Sequence, residues 1–145
     1  MEPLGRQVYL TYRTMRDRLD EDMRVAAAST PQWIVLKSVG DEPDLSQREL
    51  ADRVLVTGST LTHHLDRLEA DGYITRNRDA SDRRVLRVAL TPEGKQRRSE
   101  LDAVVAARDR HVESLLTTRE AATLNRLLAT LQQRLDDHRG DDDVD

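Results

Sequence analysis

Ser59, Thr60, His63 and Arg67 are the residues of this chain whose types and spacing carry a recognisable chemistry. At about 100° per helical residue, Leu61, Leu65 and Leu68 centre on one direction, while Ser59, His63, Asp66, Arg67 and Ala70 point the opposite way and Thr60 flanks them. Such a helix buries a leucine stripe and presents short donors and acceptors from its N-terminal half, which is what reading base edges in a DNA major groove requires. An ordinary solvated helix face has the same pattern, so the helix by itself leaves both readings open. The turn Asp82-Arg83-Arg84 sets two guanidiniums beside one carboxylate. An Arg drawn into a narrow minor groove and held by a neighbouring Asp is one reading of that turn, and a solvated charged turn is the other. His63 and His64 do not make a metal pair, because adjacent helical residues diverge by about 100° and cannot easily share one ion. No metal or other cofactor is expected. Nucleophile-elbow, phosphate-loop, His-Glu-x-x-His and dinucleotide-type glycine patterns are all missing from the sequence, so no catalytic residue and no enzyme is expected.

The elements that must hold these residues follow from periodicity. Leu4, Val8, Tyr12, Met15, Leu19 and Met23 form one apolar stripe along a first helix. Thr30-Pro31 offers a cap and a Pro at the first helical position, opening a short helix that ends at Gly40, with 41–44 as a loop. Ser46 and Glu49 form a capping box with Leu45 stapled onto Leu50, and Thr57-Gly58-Ser59 is the expected turn into the leucine-striped helix. Gly72 ends that helix. The runs 73–78 and 85–90 alternate with period 2 and form a hairpin. Thr91-Pro92-Glu93 starts a long helix through Leu101, Val104, Val105, Val112, Leu115 and Leu116, and Thr117 with Glu120 caps a last one carrying Leu124, Leu127, Leu128, Leu131 and Leu135. The expected fold is mainly α with a small β-hairpin wing: a winged helix-turn-helix plus a helical dimerisation region. Its parts are an N-terminal helix over 1–29, the DNA-binding domain over 30–91, dimerisation helices over 92–138 and an acidic disordered tail over 139–145. The terminal helices carry apolar stripes with no sheet to cover, which predicts a homodimer.

With 145 residues the chain suits one domain or a small domain plus helices that need a partner. It has no Cys, which excludes disulfides, thiol redox sensing and Cys-ligated metal. A charged N-terminus and the lack of any long apolar run predict a cytoplasmic protein with no membrane partner. The net charge of −4 is local: six of the last ten residues are Asp against a single Arg, and the rest of the chain sums to +1. Of the 23 basic residues only Lys37 and Lys95 are Lys. Arg suits bidentate phosphate and guanine contacts, although genomic bias toward Arg would give the same count.

Asp71-Gly72-Tyr73-Ile74, then Asp82-Arg83-Arg84, then Leu90-Thr91-Pro92-Glu93-Gly94 resembles the wing signature of the multiple-antibiotic-resistance regulator (MarR) family. Ser46-Gln47-Arg48-Glu49-Leu50-Ala51 and Leu61-Thr62-His63-His64-Leu65-Asp66-Arg67-Leu68-Glu69 resemble that family's helix-turn-helix. The resemblance implies a homodimeric winged-helix regulator of transcription, a repressor relieved by a small aromatic ligand, that binds a pseudo-palindromic operator in double-stranded DNA. It implies DNA contacts at Ser46, Gln47, Arg48, Ser59, Thr60, Thr62, His63, Arg67, Asp82, Arg83 and Arg84, with Asp82 orienting Arg84 and Ser46, Gln47 and Arg48 at a helix N-terminus near phosphate. His63 stands where many members carry a base-reading residue, often Arg. Tyr12, Arg16 and Trp33 could line an effector cleft, though aromatic residues at helical spacing more often pack in a core. The competing reading is a winged-helix scaffold for protein interaction without specific DNA binding.

Overall fold

The computed structural model describes residues 1–54 and 58–139. The expected turn residue Thr57 and the tail from Gly140 onward lie outside them. In chain order the elements are α1 (Leu4–Val25), α2 (Thr30–Asp41), α3 (Gln47–Val54), α4 (Gly58–Ala70), β1 (Ile74–Arg78), β2 (Leu86–Leu90), α5 (Pro92–Ser114) and α6 (Thr118–Arg139). They fall into two compact units, Met1–Val105 and Ala106–Asp145.

Capping chemistry sets most of the helix starts. Ser46 Oγ accepts from Glu49 N at 3.2 Å, and Glu49 accepts from Ser46 N at 2.7 Å, so the expected box precedes α3. Thr117 and Glu120 repeat the arrangement before α6. At α2 the cap is one residue earlier than expected. Ser29 is the N-cap, paired reciprocally with Gln32, and Thr30 and Pro31 are already helical. The side chain of Thr30 is instead committed to Asp20 of α1, at 2.5 Å. Helix α2 also runs through Gly40 to Asp41, one residue beyond the expected stop. Gly58 and Ser59 belong to α4 and not to the turn before it.

The core of the first unit draws on nearly every element: Met23 of α1, Val35, Leu36 and Val39 of α2, Leu50 and Val54 of α3, Leu61, Leu65 and Leu68 of α4, Ile74, Val88, and Leu101 of α5 are all buried. Helix α1 joins it with its C-terminal turns only. Leu4, Val8, Tyr12 and Met15 are exposed, so Tyr12 is not the core residue that helical spacing favours. In the second unit Leu115, Leu116, Leu124, Leu127, Leu128 and Leu135 are exposed, and none of the α6 residues described from Thr118 to Asp137 is buried.

The hairpin pairs Ile74 with Leu90 through Arg78 with Leu86. Tyr73 and Val85, expected in the strands, lie just outside them. Ile74 and Val88 point into the core while Thr75 and Ala89 face out, the alternation that marks a half-buried ribbon. A third edge joins β2: Val88 N donates to Leu45 O at 3.1 Å, and Ser46 and Arg87 form a bridge. The hairpin loop is closed around Asp79. One carboxylate oxygen accepts from the backbone N–H groups of Ser81 at 2.8 Å and Asp82 at 3.1 Å, and the other accepts from Arg87 Nε at 2.8 Å. Arg87 also donates to Asp44 O at 2.7 Å, so the loop is tied to the segment leading into α3.

Helix α5 starts against Tyr73, the residue just before β1, with almost no clearance. Thr91 N donates to Tyr73 O at 3.1 Å, Thr91 Oγ1 accepts from Gly94 N at 3.0 Å, and a Cβ on Gly94 would lie 1.9 Å from Tyr73 O. Because the obstacle is backbone, Gly94→Ala must push α5 off the strand, and we expect a loss of about 3 kcal/mol in urea unfolding. The Arg87 bond, followed by the two loop N–H groups, holds the Asp79 carboxyl far below the usual carboxylate range. A depressed folded value stabilises above the unfolded value, about pH 4, and that contribution is lost as pH falls through the folded one. Asp79→Asn should therefore be less stable than the parent at neutral pH. The difference should shrink steadily below about pH 4, as read from urea midpoints across a pH series.

Candidate nucleic-acid interface

Helix α4 leaves one face for function because its other face is fully used. Leu61 and Leu65 are 0% exposed and Leu68 2%, while Ser59, Thr60, His63, Asp66 and Arg67 are exposed. Thr62 lies between the two faces. Its hydroxyl donates to Gly58 O at 2.9 Å and accepts from Gln47 Nε2 at 3.1 Å. Gln47 and Thr62 thus join α3 to α4, which engages two side chains expected to face DNA. Ser46 is likewise engaged in capping, whereas Arg48 is exposed. Ser46, Gln47, Arg48 and Arg84 line one open groove between α3, the start of α4 and the loop end of the hairpin.

The His63 and His64 rings are 5.9 Å apart and tilted by 56°. His63 is exposed; His64 is half-buried, and burial, then the neighbouring ring, lowers its pKa. Among the described residues no group of three or more His, Asp or Glu is placed to hold a metal ion.

At the wing Asp82 grips Arg84 three times. Asp82 Oδ1 accepts from the backbone N and from Nε, each at 3.1 Å, and Oδ2 accepts from Nη2 at 3.2 Å. The guanidinium is aimed yet open to solvent, since the Arg84 side chain remains 91% exposed. These bonds, the side-chain ones first, hold the Asp82 carboxyl below its ordinary value. Arg83 is exposed, and its carbonyl accepts from Arg78 Nη1 at 2.6 Å, so three guanidiniums gather near the tip.

Sequence reasoning did not single out Arg76 or Arg87. Arg76 Nη2 meets Asp66 Oδ1 and Nε meets Glu69 Oε2, both at 2.6 Å, across the gap from β1 to α4. The acidic pair at i and i+3 on α4 was the available signal. Of the residues expected to form a cleft, Arg16 stacks over the Tyr12 ring at 5.9 Å on the exposed part of α1. Trp33 packs on the core and donates from Nε1 to Asp102 at 2.8 Å.

Residues 29–86 match the model of the MarR family. The wild-type MarR of E. coli, in its apo form, is 27% identical with a TM-score of 0.84, over 90% of this chain and 97% of that one. The transcriptional regulator BldR of Sulfolobus solfataricus is 29% identical with a TM-score of 0.77, over 92% of each chain. A MarR family protein of Mycobacterium tuberculosis in complex with salicylic acid is 28% identical with a TM-score of 0.73, over 90% of this chain and 97% of that one. Among the described residues no helix is long and apolar enough to cross a membrane. Residues 29–86 thus match the helix-turn-helix and wing of the MarR family, and over about nine-tenths of its length the chain shares the winged-helix fold of MarR-family transcription regulators.

Proposed function

We propose that this chain binds a pseudo-palindromic operator in double-stranded DNA as a homodimer, acting as a repressor released by a small aromatic ligand. The observation that carries the reading is the pairing of two features on one unit: an α4 face of Ser59, Thr60, His63 and Arg67 backed by a fully buried leucine stripe, and an exposed Arg84 aimed by Asp82. In this reading α4 enters the major groove, where His63 meets a base edge and Arg67 and Arg48 meet phosphate. Arg84, beside Arg83, enters the adjoining minor groove, where negative potential favours a guanidinium. Ser46, Gln47 and Thr62 set the pitch of α3 against α4 and contact DNA less directly. The exposed apolar faces of α1 and α6 supply the dimer contact. Effector binding is supported by the salicylic acid complex of the M. tuberculosis relative and by the exposed Tyr12–Arg16 pair, which offers a ring face and a cation to an aromatic carboxylate.

Titration against an operator and its single-base variants at several salt concentrations tests the division of labour. His63→Ala should cost about 1 to 3 kcal/mol at one operator position and relax the preference there. Arg84→Ala should weaken all sites, most at A·T-rich flanks, and reduce the salt slope by about 1. Asp82→Ala should be a milder form of Arg84→Ala, because it releases the guanidinium and also removes a negative charge near phosphate. A uniform loss for His63→Ala with no effect of Arg84→Ala would reverse the assignment.

Dimerisation has its own test. Ending the chain after Leu116 removes α6 and should leave a monomer in sedimentation with operator binding abolished, since half-site spacing is set by the dimer. A soluble monomer that binds at full strength would contradict the proposal.

A further inference from the structure

Arg76 lies on β1, away from the tip of the wing, and its side chain is four-fifths buried. Its Nη2 and Nε reach carboxylates on successive turns of α4, Asp66 and Glu69, each at 2.6 Å. Two bonds from one planar guanidinium fix an orientation as well as a distance, which a single ion pair does not. What they join matters more than their strength. On one side is the helix whose exposed face carries His63 and Arg67; on the other is the strand that leads to Arg84. A two-stranded ribbon holds its own place poorly, and a binding constellation tolerates displacements of only about 0.5 Å. The opposite strand has a separate anchor, from Val88 to Leu45 and from Arg87 to Asp44. That anchor fixes the wing to the start of α3; on the α4 side the bond from Tyr73 N to Leu68 O at 2.9 Å and the buried Ile74 hold the base of β1, and Arg76 is the side chain that bonds the strand to α4 further toward the tip.

We infer that Arg76 is a positioning residue that sets the wing against α4, so that Arg84 and His63 engage adjacent grooves together. The inference rests on the DNA-binding reading above. It differs from a charge effect, in which Arg76 would merely neutralise two carboxylates close to phosphate. In the positioning account Arg76→Ala misplaces Arg84, so its effect and that of Arg84→Ala overlap instead of adding.

The test is a set of variants of the full chain titrated against operator, with thermal unfolding and amide exchange measured on each. Arg76→Ala should weaken binding about tenfold, and Arg84→Ala added to it should cost little more, while His63→Ala added to it should keep its full effect. Arg76→Lys, which keeps the charge and loses the fork, should show the same overlap, and it serves if Arg76→Ala does not fold. Adding Asp66→Asn and Glu69→Gln to Arg76→Ala should not restore binding. Restoration to the parent level would establish the charge effect, and an undiminished Arg84→Ala increment would show that Arg76 does not place the wing; either overturns the inference. If the parent chain shows no salt-dependent binding to any duplex, the DNA-binding reading fails. Arg76 is then judged on exchange alone: faster exchange of the β1 and β2 amides with α2 unchanged supports it, and unchanged exchange refutes it.

Discussion

Leu61, Leu65 and Leu68 leave water almost completely, and that burial decides what every exposed side chain of α4 can do. Three leucines withdrawn from solvent contribute roughly 5 to 8 kcal/mol of transfer free energy, far more than any surface ion pair in the structure. Rotating α4 by even one residue would expose a leucine and bury a charge. The outward face is therefore a by-product of the inward one. Ser59, Thr60, His63 and Arg67 gain a fixed presentation from the leucines buried behind them.

The wing solves a different problem, because a hairpin of two five-residue strands has little apolar area with which to hold itself. It buries Ile74 and Val88, is bonded from Val88 N to Leu45 O, and is tied further by arginines that bridge to neighbouring segments: Arg76 to α4, Arg87 to Asp79 and to Asp44 in the segment before α3, Arg78 to the backbone at Arg83. These are the sites where Arg and Lys are not equivalent. Each uses a planar fork with more than one partner, or a bond to a carbonyl, which a lone ammonium would satisfy less well. A chain with 21 Arg among 23 basic residues has the means to do this, whatever biased its composition.

Apolar exposure is concentrated on α1 and α6. A monomer that leaves Leu4, Val8, Tyr12, Met15 and four leucines of α6 in water carries surface that is costly to hydrate and characteristic of interaction sites. Helix α1 is bound to the core only at its C-terminal end, through Met23 and the bond from Thr30 to Asp20. Its N-terminal turns have little of their own chain to pack on within their unit.

The sequence by itself determined the element order, most of the capping chemistry and the two faces of α4, because each depends on residues within a few positions of one another. Ser46 finds Glu49, Thr117 finds Glu120, and Leu61 aligns with Leu65 and Leu68 whatever the rest of the chain does. The turn Asp82-Arg83-Arg84 was legible for the same reason: its carboxylate and guanidinium are two residues apart. Competition between partners was not legible. Ser29 and Thr30 are both good caps, and only the arrival of Asp20 from α1, which engages Thr30, leaves Ser29 to cap α2. Gln47 and Thr62 both looked available for DNA until the packing of α3 on α4 brought them within 3.1 Å of each other. Arg76 and Arg87 read as ordinary polar positions of a strand, since their partners are 7 to 10 and 8 to 43 residues away. Tertiary structure alone decided these pairings, because a charged or polar side chain takes whichever partner the folded backbone places within about 3 Å, and no local spacing encodes that distance.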